Sequence, residues 1–338
     1  MRVLAGMLLA LSVATGAQAQ QAVDFSDYVV QSICIDAAGR PVHNLPVDAA
    51  CVDRRLQWSD DVATYRKHDW PNILAEPSTV LAYQASDSVL ERRNGRTIVV
   101  QTFDFGTGGR SFGHFDALKG DGGQVLVFVD RWASFAMTED GGGGVQWFLG
   151  EACGARTKPD ARFVGWLVFR QDIVWWDWQS AVARLNIAPT ADDCPGRFNF
   201  AFTRFRLEAI EMPFRIVETD APARLQFHKV DAIVSEHYGG RDVKTADHLE
   251  RFYLAKGLGL VRWERWANGN LPQPPSIAAA HHTMTTTDRC PPLEAHGAPT
   301  TGWLLVDCRM WTTLVHQSEP WRVRDFAWPA LRAFGALD

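Results

Sequence analysis

Four polar residues that could bind or ionise a substrate lie close together in residues 250–265. They are Arg251, Tyr253, Arg262 and Glu264, and each has apolar neighbours. An arginine can bind a substrate carboxylate through two parallel hydrogen bonds. A tyrosine or a glutamate can move a proton when its surroundings tune its pKa. These residue types indicate a binding or catalytic surface, provided that the chain brings them to one face.

The same segment predicts a β-hairpin with its turn at Gly257–Leu258. Tyr253 then faces Arg262, Arg251 faces Glu264, and Leu254 faces Val261. Because side chains alternate between the two faces of a strand, the four polar residues share one face. The opposite face carries Phe252, Leu254, Val261 and Trp263. We interpret the polar face as the floor of a groove; the alternative is a solvent-exposed face with ordinary cross-strand pairs.

Three fragments upstream of the hairpin add polar side chains of the same kinds. They are residues 204–208, with Arg206, residues 226–228, with Gln226 and His228, and residues 235–240, with His237. In the first two fragments polar and apolar residues alternate, so each places its polar side chains on one strand face.

In chain order, these fragments resemble the Arg-rich, Gln-x-His and Tyr-x-x-Lys strands of jelly-roll alginate lyases. The resemblance implies β-elimination of an acidic polysaccharide. Arg206 would neutralise the uronate carboxylate together with Gln226, while His228 and Tyr253 would handle the proton. Lys256, three positions after Tyr253, would belong to the same substrate site.

Two other reactions are consistent with the sequence. A glycoside hydrolase needs two carboxyl groups in one cleft, and Glu208 with Glu211 could supply them. Glu236 with Glu264 is the other candidate pair, whereas Glu250 falls on the opposite hairpin face. A serine hydrolase could use Ser111 in Gly109–Gly113, which matches G-x-S-x-G. That motif requires a helix directly after the serine.

Tryptophan is unusually abundant, with 14 residues against 5 tyrosines. Residues 173–178 predict a strand with Trp176 and Trp178 on one face and Trp175 and Asp177 on the other. The apolar face of a sugar ring stacks on indole, so Trp176 and Trp178 are candidate substrate-binding residues. The alternative is that these side chains pack between two sheets.

The N-terminus predicts export from the cytoplasm. Arg2, the apolar run Val3–Val13 and Ala17-Gln18-Ala19 follow the order of a cleavable signal peptide, which we assign to residues 1–19. Residues 20–338 would form a single domain with a loop-rich N-terminal segment, in the periplasm or secreted.

All six cysteines lie after the predicted cleavage point, which is typical of an oxidising compartment. We expect sequential disulfides, although six cysteines allow fifteen pairings. The expected pairs are Cys34–Cys51, Cys153–Cys194 and Cys290–Cys308.

The fold predicted is all-β: an antiparallel β-sandwich of the jelly-roll or concanavalin-like kind, with few short helices. The pattern predicts single helical turns at Thr245–Leu249 and Trp328–Phe334, and a loop at Leu271–Pro275. The predicted strands are Thr97–Phe103, Gln124–Asp130, Val145–Leu149, Phe163–Phe169, Ile173–Trp178, Arg197–Ile210, Arg224–Ser235, Glu250–Ala255, Leu260–Trp266 and Gly302–Leu314.

Composition narrows the partners. The net charge is −5 and no Lys/Arg run occurs, which argues against a nucleic-acid partner. No later apolar run is long enough for a membrane span. We expect no cofactor and no catalytic metal; a structural calcium ion could bind at a loop such as Asp121 or Asp140. The oligomeric state stays open.

The sequence therefore predicts an exported carbohydrate-active enzyme, a polysaccharide lyase or a glycoside hydrolase, with its groove on one sheet. The alternative from another class is a non-catalytic glycan-binding or envelope-interaction protein. An enzyme should place Tyr253, Arg262 and Glu264 beside His228 or His237. A binding protein should present Trp176 or Trp178 on an open platform.

Overall fold

The described part of the chain consists mostly of β-strands. The computed structural model describes residues 23, 26–29, 32–39, 41–42, 53–56, 62–63, 65–67, 84–86, 90–93, 96–104, 123–129, 135–140, 162–164, 166–170, 172–181, 184–185, 197–199, 202–218, 221–240, 242–287, 290–293, 298–316 and 321–322. Among these residues, the helices are α1 (Ser26–Val29) and α2 (Pro275–Thr286). The predicted all-β class is confirmed.

The strands are numbered in chain order. The first eleven are β1 (Ser32–Ile35), β2 (Pro41–Val42), β3 (Asp53–Leu56), β4 (Val62–Ala63), β5 (Tyr65–Lys67), β6 (Gln84–Ser86), β7 (Leu90–Arg93), β8 (Arg96–Asp104), β9 (Gly123–Val129), β10 (Phe135–Asp140) and β11 (Arg162–Val164). The others are β12 (Trp166–Arg170), β13 (Gln179–Ala181), β14 (Arg184–Leu185), β15 (Arg197–Asn199), β16 (Thr203–Glu218), β17 (Ala221–Tyr238), β18 (His248–Ala255), β19 (Gly259–Asn268), β20 (Trp303–Met310), β21 (Thr313–His316) and β22 (Trp321–Arg322).

The largest sheet has eight strands in the order β20-β19-β18-β17-β16-β21-β5, with β13 also paired to β16. Strands β16 to β20 pair antiparallel, whereas β21 runs parallel to β16. A second sheet of six strands has the order β12-β10-β9-β8-β6, with β7 beside β8. The largest sheet contains every strand of the predicted polar surface.

The long hairpin of β16 and β17 forms the middle of the largest sheet. Its register runs from Thr203 opposite His237 to Glu218 opposite Ala221. Residues at even positions of both strands therefore share one face, which we call the ladder face. The odd positions point to the opposite face, where β12 packs: the Ser235 hydroxyl donates a 2.5 Å hydrogen bond to the Val168 carbonyl.

The hairpin of β18 and β19 has the predicted register over its central part. Arg251 pairs with Glu264, Phe252 with Trp263 and Tyr253 with Arg262. Nearer the turn a bulge shifts the register, so that Leu254 faces Leu260 instead of the predicted Val261. The turn itself spans residues 256–258.

The positive φ of Gly257, 74°, fits glycine at this turn. Here the Gly257 amide donates a 2.6 Å hydrogen bond to the Asp27 carbonyl. The Gly257 carbonyl in turn accepts bonds of 2.8 Å from the Ser32 amide and 3.0 Å from the Ser32 hydroxyl. The turn therefore ties α1 and β1 to the largest sheet.

Two clusters of buried apolar residues lie on the ladder face, besides a third around Tyr238 and Trp266. One gathers buried residues of the central strands with Leu258 and Leu293; its members include Ile210, Met212, Phe214, Val230, Ala232 and Val234. In the other, Met284 of α2 packs against Met310 and the Cys290–Cys308 disulfide. Helix α2 therefore covers the end of the sheet at β20.

The structure corrects four elements of the sequence prediction. The predicted strand Gly302–Leu314 is two strands, β20 and β21, which pair with β19 and with β16. Residues 173–178 are not a regular strand: Trp175 makes an isolated bridge to Leu207, and Trp176 has a φ of 69°. Residues 245–249 do not form a helical turn, because β18 begins at His248. Helix α2 was not predicted; it begins at Pro275, directly after the predicted loop.

The disulfide prediction is confirmed for Cys290–Cys308, whose Cα atoms are 6.0 Å apart. Cys34 is also disulfide-bonded. Cys51, Cys153 and Cys194 lie outside the described residues, as do the predicted signal peptide, Ser111, Asp121, Val145–Leu149 and Trp328–Phe334.

Candidate functional site

One row of charged residues crosses four neighbouring strands on the ladder face. Arg204 of β16 pairs with Glu236 of β17, Glu236 with Arg251 of β18, and Arg251 with Glu264 of β19. Positive and negative side chains therefore alternate across the sheet. We call these four residues, together with Arg262, the charge ladder.

Each carboxylate of the charge ladder lies between two guanidinium groups. Arg251 donates to Glu236 at 2.6 and 2.9 Å, and the other side of Glu236 forms an ion pair with Arg204. Arg251 also reaches Glu264 at 3.2 Å, while Arg262 reaches the second oxygen of Glu264 at 2.6 Å. Arg251 therefore bridges the two carboxylates.

Aromatic side chains satisfy further oxygen atoms of the ladder. Glu264 accepts hydrogen bonds from the Tyr253 hydroxyl at 3.2 Å and from the Trp266 indole at 2.9 Å. Glu236 accepts a 2.5 Å bond from the Tyr238 hydroxyl. Beyond the carboxylates, Arg262 donates to the Pro291 carbonyl at 2.7 Å. The ladder is thus a densely bonded network rather than a set of separate pairs.

Except at Arg204, the ladder is shielded from solvent. Glu236, Arg251, Arg262 and Glu264 are all buried, and Tyr253 is buried with them. A solvent-exposed hairpin face, the alternative drawn from the sequence, is therefore wrong. The four polar hairpin residues do share one face, as predicted, but that face is closed to solvent around them.

Burial alone would raise the pKa of both glutamates, but the neighbouring arginines outweigh it. Arg251 and Arg204 hold the pKa of Glu236 below its usual value, and Arg262 and Arg251 do the same for Glu264. Burial, with the nearby charge of Glu264, raises the pKa of Tyr253. At neutral pH the carboxyl groups therefore stay ionised and the phenol stays protonated.

At the β16 end of the ladder, residues 173–178 run beside that strand. The Trp176 amide donates to the Leu207 carbonyl at 2.9 Å, and the Leu207 amide donates to the Val174 carbonyl at 2.9 Å. The indole of Trp176 is 57% exposed, and its ring centroid lies 5.9 Å from that of Trp175. This short segment therefore holds a large aromatic side chain out into solvent.

Trp178 lies against two guanidinium groups. The centres of Arg204 and Arg206 are 4.4 and 4.2 Å from its ring centroid, within the range of a cation–π contact. Arg206 also pairs with Glu208 and donates to the Trp176 carbonyl at 3.2 Å. We call Trp175, Trp176 and Trp178, with Arg204 and Arg206, the tryptophan edge.

The structure brings some predicted site residues together. Tyr253, Arg251, Arg262 and Glu264 are in direct or near contact, and Arg206 lies in the same cross-strand row as Tyr253, with Val234 of β17 between them. Trp176 and Trp178 belong to one segment beside Arg206. Lys256 is exposed in the hairpin turn, 4.0 Å from Asp27.

Other predicted residues lie elsewhere. Gln226 and His228 contact each other at 3.1 Å on the ladder face. However, His228 is six residues along β17 from Val234, the partner of Tyr253, which amounts to about 20 Å. The His228–Tyr253 pair implied by the lyase resemblance is therefore not assembled.

His237 points to the face opposite the ladder. Its ring stacks on Phe252 at 4.7 Å between centroids, and its Nε2 lies 2.9 Å from the Ser235 hydroxyl. Burial lowers the pKa of His237 to about 3. Glu250 also lies away from Glu264, as predicted, and accepts a 3.0 Å bond from the Trp263 indole. His237 therefore does not share a cleft with Tyr253.

Sequence reasoning missed two partners of the ladder, Tyr238 and Trp266, and gave Arg204 no role. A signal was present, because Arg204, Arg206 and Glu208 alternate with apolar residues. Their significance depends on pairing β16 with β17 and β17 with β18, which the local pattern does not specify.

The described residues give no indication of a metal site or of a membrane span. In that part of the chain, no three His, Cys, Asp or Glu side chains are grouped as ligands of a metal ion would be. None of the described helices is long and apolar enough to cross a bilayer.

Comparisons with protein-family models, with curated proteins and with solved structures found no match to this chain.

Proposed function

We propose that this exported protein binds a polysaccharide or oligosaccharide at the tryptophan edge and does not cleave it. We further propose that the two larger sheets pack as a β-sandwich of the jelly-roll or concanavalin-like kind. The packing of β12, from the six-stranded sheet, against β16 and β17 supports this arrangement.

The backbone of Trp176 carries the proposal. A side chain with a Cβ at a φ of 69° costs about 1–2 kcal/mol relative to ordinary backbone. Here that cost places an indole in solvent, where it gains little from burial. Strained residues of this kind cluster at ligand sites, because the surrounding structure holds them for a purpose other than stability.

The neighbouring side chains make this edge suitable for a sugar. An indole face stacks on the apolar face of a sugar ring, and an indole N–H can donate to a hydroxyl. Trp178, fixed against Arg204 and Arg206, gives the edge a second, rigid aromatic ring. A preorganised aromatic surface loses little entropy when a ligand binds.

The charge ladder argues against catalysis by the groups that the sequence favoured. A general acid must be protonated near neutral pH, yet the pKa of Glu236 and that of Glu264 are lowered. A general base must ionise readily, yet the pKa of Tyr253 is raised. We therefore favour binding over the lyase and hydrolase hypotheses.

Affinity electrophoresis in gels that contain single polysaccharides tests the proposal. We expect retardation by at least one glycan, and loss of about tenfold in affinity in Trp176→Ala, since an aromatic stacking contact is worth about 1.5 kcal/mol. Phe227→Ala is the matched control. Phe227 is also an exposed aromatic, at 59%, but it pairs with Pro213, six residues along β16 from Leu207.

Parallel incubations follow new reducing ends and the absorbance of unsaturated uronates. Retardation without either product supports the proposal. Unsaturated uronates would establish a lyase, and reducing ends alone a hydrolase; either result would overturn binding as the function. Retardation that survives in Trp176→Ala would place the site elsewhere.

A further inference from the structure

We infer that the tryptophan edge selects an uncharged glycan over a uronate or sulfated one, with Asp177 accepting hydrogen bonds from sugar hydroxyls. This inference rests on the proposed function and adds the class of ligand. It is carried by the way in which the arginines of the edge are already engaged.

The N–H groups of Arg206 are already engaged within the protein. To recognise a carboxylate, a guanidinium presents two parallel N–H groups along one edge. Arg206 already uses Nη2 for Glu208 and Nη1 for the Trp176 carbonyl, and its Nε is buried. An acidic sugar would have to displace Glu208, a buried carboxylate, from its ion pair.

Arg204 is engaged through one N–H group and through its face. Its Nε donates to Glu236, and its planar group lies over the Trp178 and Tyr238 rings. Cation–π contact uses the face of the guanidinium and positions the indole. Each arginine of the edge therefore contacts Trp178 and also pairs with a glutamate of the sheet.

The charges of the edge and the ladder balance among the described residues. Four arginines, Arg204, Arg206, Arg251 and Arg262, pair with Glu208, Glu236 and Glu264, and Asp177 adds a fourth carboxylate. Nearby, Arg170 and Asp172 form their own ion pair, at 2.6 Å. Within this set of described residues no excess positive charge is left to attract an anionic polymer.

Asp177 is the exposed carboxylate of the segment that carries the tryptophans. It lies between Trp176 and Trp178 in the chain, its side chain is exposed, and within the described residues it forms no ion pair. A carboxylate accepts hydrogen bonds from hydroxyl groups, and such charge-assisted bonds are among the stronger ones. The same carboxylate repels a uronate or a sulfate.

The test compares neutral polysaccharides, namely hydroxyethyl cellulose, galactomannan and xyloglucan, with polygalacturonate and dextran sulfate. We expect a neutral glycan to bind with an affinity that changes little with salt, because no counterions are released from it. Asp177→Asn should weaken that binding about tenfold. Glu211→Gln removes the same charge at an exposed position of β16, on the opposite face of the strand, and should leave binding unchanged.

The outcomes separate the two proposals. Binding to polygalacturonate or dextran sulfate that requires Trp176 and weakens with salt would overturn the neutral preference but keep the glycan site. If Asp177→Asn and the unaltered protein bind a neutral glycan with equal affinity, the role of Asp177 is overturned. Failure to bind any of the five polymers, or binding that ignores Trp176→Ala, would refute the proposed function itself.

Discussion

Replacing Arg251 with methionine should destabilise the protein by about 3–5 kcal/mol near pH 7. Methionine fills a similar volume but leaves Glu236 and Glu264 without the cation that lies between them. Removing one partner of a buried ion pair typically costs that much, because a charge remains in a medium of low dielectric constant. Urea unfolding, with a constant slope, measures the loss.

The pH dependence of this loss distinguishes electrostatics from packing. In the native protein the pKa values of Glu236 and Glu264 are lowered, so their contribution to stability is present above the unfolded value of 4.5 and is lost as the pH falls below it. Without Arg251, the effect of burial is less opposed and both folded pKa values rise. As the pH falls, the two glutamates of the native variant are then protonated before those of its unfolded chain. This proton uptake stabilises the folded variant.

We therefore expect the destabilisation by Arg251→Met to shrink between about pH 7 and about pH 5. Arg265→Met is the control, because Arg265 is exposed on β19, next to Glu264 in the chain; it should change stability by no more than about 0.5 kcal/mol. A loss below about 1 kcal/mol, or a loss that is equal at both pH values, would refute this account of the ladder.

Two further predictions concern single residues. Because the positive φ of Trp176 strains any residue with a Cβ, Trp176→Gly should be more stable than Trp176→Ala by about 1 kcal/mol in urea unfolding. Glu211 is an ordinary strand position, so Glu211→Gly should there be less stable than Glu211→Ala by about 0.5–1 kcal/mol. The same order of stability at both sites would contradict the strain. His237, whose pKa is lowered to about 3 from 6.5, should show NMR ring resonances that do not shift between about pH 7.5 and about pH 5. Below pH 6.5 the unfolded chain binds a proton at this histidine and the native protein does not. The free energy of unfolding should therefore fall by up to about 1.4 kcal/mol for each pH unit below 6.5. A ring that titrates near pH 6.5 would contradict the burial of His237.

The central hairpin shows what the sequence could predict. Alternation of polar and apolar residues on both sides of Gly257 was enough to place Arg251 opposite Glu264 and Tyr253 opposite Arg262, since a one-residue slip would mix the two faces. The bulge near Leu254 could not be predicted, because it depends on how the turn meets Asp27 and Ser32.

The burial of the charge ladder could not be predicted from a local sequence pattern. A row of arginines and glutamates along one strand face is equally typical of a solvated surface. It becomes a closed network only because β16, β17, β18 and β19 align Arg204, Glu236, Arg251 and Glu264 in one row. The three pairs are separated by 32, 15 and 13 positions in the chain, so the pairing is a property of the sheet.

The sequence prediction was wrong for residues 173–178 and for α2, for different reasons. Tryptophan and valine favour strands, so the sequence predicted a strand where a single bridge and a left-handed Trp176 occur. Helix α2 is rich in threonine, which has a low helix propensity, and only Pro275 at its first position gave a signal for its start.

The contact between Ser32 and Gly257 limits the order in which the chain folds. The two residues are 225 positions apart, whereas β1 pairs with the nearby β2 and β3. Docking of α1 and β1 on the largest sheet requires the hairpin of β18 and β19 to be present, so we expect it to be a late step of folding. A chain that ends before Gly257 therefore lacks the partner of Ser32.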